Sequence, residues 1–464
     1  MKARSPPPFD PWLWLQACQE TWLAALDPLR VGRRLRQQRL KRLIDTAIRD
    51  SPLYTRRAPR ARTLADFEPV GKAELMHHFD DWATDRRITL SGAESVVRSD
   101  AVADAWLDRY MLWTSSGTSG EPGIFVQDAA SLAAFDAIDA LRLRSADPTQ
   151  PSLGLWSMGR RFAYVGAIGG HYAGYVSIER LRRIVPAPWR PQINAISILD
   201  PLEEVVGQLQ ALQPDVLITY PTYAVTLASC QARGALQMKL AELWLGGEQL
   251  TTRQREALRS AFGCKLRNNY GASEFYSIAC ECERGRLHLN DDWVVLEGLD
   301  ARGRPAPAGE FSHVTLLTNL ANLTQPLLRY ELNDRVRFVA SPCPCGSALP
   351  IIEVQGRCDD VLELPGTRTD TVALLPLALE SVLEEDAEVM QFQLLLRPDH
   401  VLELRLPHTG AGTRQAFRRC RTALLAHLAR QGARPLRVVL GNDEFMHRGG
   451  SGKLCRVIDL TRDG

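Results

Sequence analysis

The stretch Trp113–Gly123, WTSSGTSGEPG, gathers serine and threonine hydroxyls and glycines around a single proline. Hydroxyls and backbone N–H groups in such a loop can cradle phosphate oxygens, and glycine lets the main chain approach them closely. A plain surface turn uses the same residues. The stretch is not a P-loop, because the chain has no G-x-x-x-x-G-K-[ST] and no lysine follows Gly120. Other segments carry matching chemistry: GGE at Gly246–Glu248, NNYGASE at Asn268–Glu274, RYELNDRVRF at Arg329–Phe338, GRCDD at Gly356–Asp360, and GGSGKLCRV at Gly449–Val457. Among them are an aromatic face, hard oxygen donors, and a lysine in a glycine-rich turn. Taken singly, each has an ordinary reading as a strand end, a turn, a salt bridge or a solvated charge.

A second kind of chemistry lies in two C-x-C pairs, Cys280/Cys282 and Cys343/Cys345, with His288 close after the first. Zn²⁺ takes four thiolate or imidazole ligands in a tetrahedron, so five candidates compete for four places, and one of Cys280, Cys282 and His288 is spare. The ordinary alternative is reduced, uncoordinated thiols. Two aromatic segments, AYVGAIGGHYAGY (Ala163–Tyr175) and YPTY (Tyr220–Tyr223), offer His171, Tyr172, Tyr220 and Tyr223 to frame a flat acid. The same four could equally be core residues with satisfied polar tips.

These groups need a scaffold. A chain of 464 residues exceeds the ~250–300 at which single cores stop growing, so two or more domains are expected. From Tyr110 onward, short apolar runs at Ser152–Met158, Asp215–Tyr220, Glu242–Gly247 and Cys264–Gly271 read as strands. Tyr223–Arg233 and Thr251–Phe262 read as the helices between the last three. That alternation predicts an α/β fold with a mostly parallel sheet covered by helices, whose strand ends carry the glycines. The first hundred or so residues read as helices, including Arg33–Ile48 and Lys72–Trp82. After Asp360 a strand pair, the helix Arg414–Arg430 and the strand PLRVVL make a small α+β unit.

Composition excludes other classes. With 45% apolar and 24% charged residues and a net charge of +2, the chain has the balance of a globular enzyme and no footprint for nucleic acid. The arginine-rich stretch Arg30–Arg42 keeps helically spaced leucines and reads as a solvated face, with docking to an acidic partner as the alternative. No signal-like segment and no run of ~18 apolar residues is present. A cytoplasmic protein without a membrane span, its cysteines reduced or metal-bound, is therefore expected.

In their order and spacing the segments resemble the adenylate-forming superfamily of acyl- and aryl-CoA ligases, most closely its phenylacetate–CoA ligase-like branch, over nearly the whole chain. TQPLLRYELNDRVRF, CPCGSALPIIEVQGRCDD and SGKLCRVIDL resemble a capsule-associated, factor-synthetase-related subgroup. The resemblance implies a large N-terminal domain over residues 1–358 and a small mobile α+β domain over 359–464, hinged near Asp359. It also implies transfer of AMP from ATP, with Mg²⁺, onto a small-molecule carboxylic acid, for which an aromatic acid is the expectation. The acceptor would be a thiol of coenzyme A or of the phosphopantetheine arm of an acyl carrier protein.

By the same resemblance, Ser115, Ser116, Gly117, Thr118, Ser119 and Gly120 hold pyrophosphate, and Gly246, Gly247 and Glu248 line the adenine side. Within Asn269, Tyr270, Gly271, Ala272 and Ser273, the tyrosine packs on adenine. Glu274 contacts Mg²⁺, Asp334 receives the ribose hydroxyls, and Arg357 meets ribose or phosphate. Lys453 bridges the α-phosphate and the substrate carboxylate. A structural zinc occurs in some relatives. One departure stands out: many relatives have lysine where this chain has Gly123, so the loop here would rely on dipoles and Mg²⁺. Adenylation followed by amide formation, and a non-catalytic nucleotide-binding homologue, are the alternatives.

Overall fold

The computed structural model describes residues 6–115, 122–143, 159–357, 362–367, 371–374, 376–389, 391–406, 412–441 and 456–461; several side chains, that of Arg357 among them, lie outside the description. The chain opens with α1 (Pro11–Leu26), whose start is set by Asp10: its carboxylate accepts from the Trp12 and Leu13 N–H groups, and Pro11 occupies the first turn. A one-turn π-helix, Pro28–Gly32, leads into α2 (Arg33–Asp50), which buries Leu43, Ile44 and Ala47 and turns most of its cations outward, Arg39 lying instead over the Trp293 ring. Short helices α3 (Pro52–Arg57), α4 (Lys72–His77), α5 (Phe79–Trp82) and α6 (Leu90–Val97) follow. The single helix expected over Lys72–Trp82 is thus two, broken at His78. Leu75 and Met76 bury from one turn and Phe79 and Trp82 from the next, and the break lets the Trp82 indole N–H donate to the Pro326 carbonyl at 2.7 Å.

Strands β1 (Met111–Thr114) and β2 (Ile124–Gln127) pair antiparallel, and the hydroxyl-rich run lies between them in sequence. Helix α7 (Ala129–Ile138) comes next. The main sheet then receives β3 (Phe162–Gly166), β4 (Ile193–Ser197), β5 (Val216–Thr219), β6 (Glu242–Gly246) and β7 (Lys265–Tyr270). All pair in parallel, in the order β4-β3-β5-β6-β7. Crossovers by α8 (Ala173–Ile184), α9 (Leu202–Leu212), α10 (Pro221–Ala232) and α11 (Thr252–Phe262) explain the parallel sense. Beyond β7 no helix intervenes, and the sense reverses. β8 (Ala279–Glu281), β9 (Leu287–Leu289), β13 and β14 complete nine strands in antiparallel pairs, so the sheet is mixed. β13 is Asp334–Val339 and β14 is Ile351–Arg357. Strands β10 (Val294–Leu299), β11 (Val314–Asn319) and β12 (Tyr330–Leu332) form a separate antiparallel sheet.

The period-2 alternation of strand side chains divides the large lobe into two cores. Phe162, Tyr164, Val216 and Trp244 face the first, shared with α7, α8 and the N-terminal helices. Ala163, Val165, Leu217, Leu243 and Leu245 face the second, under α9 to α11. A third, separate core runs from Leu362 to Val457. It lies between β15 (Leu362–Pro365), β16 (Thr371–Leu374), α12 (Pro376–Ser381), β17 (Gln393–Leu396), β18 (Val401–Arg405), α13 (Gly412–Arg430), β19 (Arg437–Leu440) and β20 (Val457–Asp459). The strand expected at Ser152–Met158 lies outside the described residues. No helix among those described is long and apolar enough to cross a membrane.

Candidate active site

The carboxyl ends of β6 and β7 are neighbours in register, Gly246 opposite Asn269, so the chain leaves the sheet there twice within a few ångströms. Gly247 follows with φ of +77°, a left-handed backbone that favours glycine. Glu248 then turns back: its Oε2 accepts from the Thr222 N–H and hydroxyl at 3.0 and 2.8 Å, at the start of α10. After β7 the loop Gly271–Ile278 folds tightly on itself, with paired Ala272 and Phe275 N–H bonds. A Cβ on Gly271 would sit 1.9 Å from the Tyr276 carbonyl oxygen, so only glycine fits.

Neighbouring elements brace this loop. The Trp113 indole donates to the Ser273 carbonyl at 2.8 Å, the Ser273 hydroxyl donates to the Thr114 carbonyl, and Asn319 Nδ2 donates to the Glu274 carbonyl. Asn269 Nδ2 holds the Tyr276 carbonyl, and the Ser277 hydroxyl donates to Asn269 Oδ1. The Tyr270 hydroxyl donates to Asp334 Oδ2 at 2.6 Å, across 64 residues of sequence. Asp334 pairs with Arg357 in the β13–β14 register, which sets the Arg357 backbone beside it. Glu274 is buried, with its Oε1 accepting from the Tyr330 hydroxyl at 2.7 Å. Trp113 and Tyr330 fall inside the marked segments and Asn319 outside them, and nothing local marks any of the three as a support for this loop.

Ser115 stands at the neck of the hydroxyl-rich run: its hydroxyl accepts from the Gly123 N–H at 2.8 Å, and its own N–H donates to the Gly123 carbonyl. A Cβ on Gly123 would lie 3.0 Å from the Phe125 ring, so any side chain at this position would press on that ring. Ser116, Gly117, Thr118, Ser119, Gly120, Asp359 and Lys453 lie outside the described residues.

Behind Gly246 and Asn269 a cleft runs between the sheet and α7 and α8. Its walls include Trp113, Phe135, Phe162, Trp244 and Tyr276. None of His171, Tyr172, Tyr220 and Tyr223 lines it. His171 is buried with Nε2 against the Ser99 carbonyl, and its carbonyl accepts from the Thr114 N–H. Tyr172 precedes α8, and Tyr223 packs into the second core on the opposite side of the sheet. Burial, opposed by a hydrogen bond with Tyr164, pushes the Tyr220 phenol up to about 12, so it stays protonated at neutral pH.

At the far end of β8, Cys282, His288, Cys343 and Cys345 bring their ligand atoms within 4.8 Å of one another. Cys280 is the spare: its Sγ turns to the Ser277 hydroxyl and Asn290 Nδ2. Cys282 and Cys343 sulfurs stand 3.7 Å apart, far beyond a disulfide bond of ~2.05 Å. That separation matches the edge of a tetrahedron with metal–sulfur bonds of about 2.3 Å. His288 Nδ1 lies 3.1 Å from the Leu349 carbonyl, which leaves Nε2 facing Cys345 at 3.4 Å. Burial, reinforced by the neighbouring sulfurs, pushes the Cys345 thiol up to about 12.

No family model matches the chain. It is 25% identical to phenylacetate–coenzyme A ligase of Pseudomonas putida over 369 residues, 74% of this chain and 75% of that protein. It is also 25% identical to the protein CapK of Staphylococcus aureus over 203 residues, 39% of this chain and 44% of that one. Its fold superposes on 2-hydroxyisobutyryl-CoA ligase in complex with 2-HIB-AMP with a TM-score of 0.63, at 20% identity, covering 92% of this chain and 90% of the other. With the glycine-dependent loop after β7 and the Tyr270–Asp334 contact in hand, these likenesses agree with the resemblance of the chain to the adenylate-forming superfamily and its phenylacetate–CoA ligase-like branch.

Proposed function

We propose that this protein is an ATP-dependent acid–thiol ligase: it converts a small carboxylic acid to its acyl-AMP and passes the acyl group to the thiol of coenzyme A. A carboxylate resists nucleophiles because it is charged and lacks a leaving group; adenylation removes the charge and installs one. In-line displacement at the α-phosphate asks chiefly for positioning and charge stabilisation. The observation that carries this reading is the 2.6 Å Tyr270–Asp334 contact, which joins two distant motifs beside the ends of β6 and β7. In a doubly wound sheet, such a crevice is where nucleotides bind.

In this reading Tyr270 presents its ring to adenine, Gly246, Gly247 and Glu248 shape the adjoining wall, and Asp334 accepts the ribose hydroxyls. Arg357 meets ribose or phosphate, and the run Ser115–Gly120 wraps the departing pyrophosphate. Glu274, a hard oxygen donor held by Tyr330, suits Mg²⁺, which would supply charge neutralisation at the phosphates. Lys453 neutralises the two anions that must meet, and rotation of the small lobe about Asp359 exchanges adenylation for thioester formation. The aromatic walls of the cleft favour an aryl acid. A phosphopantetheine arm is the other acceptor class. Cys282, His288, Cys343 and Cys345 fit a structural Zn²⁺, which would tie β9 to the loop before β14.

The test is acid-dependent pyrophosphate release over a panel of aryl and fatty acids, followed by turnover with coenzyme A, a holo carrier protein or an amine. Aryl acids with coenzyme A should give the largest rates. Lys453→Ala should abolish adenylate formation and leave ATP binding intact; unchanged pyrophosphate exchange in that variant refutes the lysine's role. ATP binding with no acid-dependent pyrophosphate release from any acid would favour a non-catalytic homologue.

A further inference from the structure

Helix α1 is rich in large apolar residues, with Gln16 and Gln19 exposed among them, a composition that ordinarily means burial of most of the surface. One face is buried: Ala17, Thr21 and Ala24 pack inward, and the Thr21 hydroxyl accepts from the Trp293 indole at 2.8 Å. The opposite face is not. Trp12 is 77% exposed, Leu15 51%, Leu26 49% and Leu29, in the turn beyond, 63%; Trp22 and Leu23 lie on the same stripe. Of eight exposed large apolar side chains among the described residues, these are six, so the stripe is not ordinary surface scatter.

Charge adjoins the stripe. Arg30, Arg33, Arg34 and Arg42 are exposed, and no carboxylate lies within ion-pairing distance of them among the described residues. Their neighbours differ: Arg36 pairs with Asp291, Arg39 with Glu20, and Lys41 with Asp45. The carboxylates nearest the stripe are committed as well. Asp10 and Asp27 cap backbone N–H groups, and Glu20 takes Arg39. A second copy of the chain would therefore match the apolar stripe and leave the four guanidinium groups without an anion. A surface that is apolar beneath and anionic above satisfies both, and tryptophan favours that boundary.

We propose that the exposed face of α1, with the arginines that follow it, docks the enzyme on an anionic lipid bilayer, with the helix lying in the interface plane. The stripe runs along the exposed face of one helix, which suits a soft surface. The site is separate from the nucleotide cleft, so the proposal stands apart from the ligase reading.

Co-sedimentation of the full chain with vesicles tests it, using phosphatidylcholine alone against phosphatidylcholine with one third phosphatidylglycerol. The bound fraction should be at least tenfold larger on the anionic vesicles and fall with added salt. Combined Trp12→Ser, Leu15→Ser and Leu26→Ser should abolish binding without lowering the melting temperature. Arg30→Gln, Arg33→Gln and Arg34→Gln together should reduce it about tenfold on anionic vesicles. Equal binding to both vesicle types, or none to either, overturns the proposal. So does light scattering that shows a dimer dispersed by the serine substitutions, or capture of an acidic protein by a chain that ignores vesicles.

Discussion

Strand β8 separates two sites of opposite construction. On its N-terminal side, the loop Gly271–Ile278 is held by protein alone: hydrogen bonds from Trp113, Asn319 and Asn269, a tight Ala272–Phe275 turn, and a glycine with no room for a methyl group. On its C-terminal side, backbone pairing of β9 with β8 and β14 brings Cys282, His288, Cys343 and Cys345 together, and their ligand atoms face one another. The first site is built by the protein alone, as the proposed nucleotide site would need to be if positioning is its main contribution. The second gathers sulfurs that resist sharing charge, an arrangement that the proposed Zn²⁺ would complete.

Substitutions can break this contrast. Gly271→Ala has the largest expected effect on chemistry. Its methyl must displace the Tyr276 carbonyl, and a shift of about 1 Å at a positioning loop costs on the order of 100-fold in rate. Pyrophosphate exchange should fall that far while the melting temperature drops only a few degrees. Cys343→Ser should do the reverse: exchange within about threefold of wild type at room temperature, but a melting temperature lower by on the order of 10 °C, with zinc content lost by elemental analysis. If both variants lose activity and stability together, the two sites are one cooperative unit and the contrast fails.

Finer changes sharpen the first half of the comparison. Asp334→Asn should raise the KM for ATP about tenfold with kcat little changed, because the carboxylate is the stronger acceptor. Tyr270→Phe keeps the ring and removes only the hydroxyl that donates to Asp334, for a loss of about fivefold, the worth of one ordinary hydrogen bond. Steady-state kinetics with ATP varied separates the two.

The smallest effect concerns stability alone. The Asp85 carboxyl is held well below the usual range, first by its hydrogen bonds with Arg87 and then by the Arg87 N–H and the Tyr110 hydroxyl, against its partial burial. A lowered folded pKa contributes stability at pH above the ordinary carboxylate value of about 4, lost as pH falls through the folded value. Asp85→Asn should therefore be slightly less stable than wild type at neutral pH, with the difference vanishing in acid. Arg87 is largely in solvent, so the gap is small.

Much of the scaffold was legible because local patterns determine local structure. The strands at Val216–Thr219, Glu242–Gly246 and Lys265–Tyr270 and the helices between them fall where short apolar runs alternate with helical spacing. The glycines of Gly246–Gly247 and Gly271 marked the strand ends, since a positive φ or a close backbone approach demands that residue. The reversal of sheet direction after β7 was not legible, because it depends on the absence of a crossover helix across a short loop.

What the sequence by itself determined is the inventory: phosphate-type loops, an aromatic beside acceptors, thiols in pairs, and the order in which they resemble the superfamily. Residue types and short-range spacing carry that information. Only the tertiary structure decided which of five candidate ligands stands apart, that Tyr330 rather than a near neighbour holds Glu274, and that His171 and Tyr223 belong to the interior rather than the cleft. Those choices turn on strand register and on side-chain direction between segments tens to hundreds of residues apart, and no local pattern encodes them.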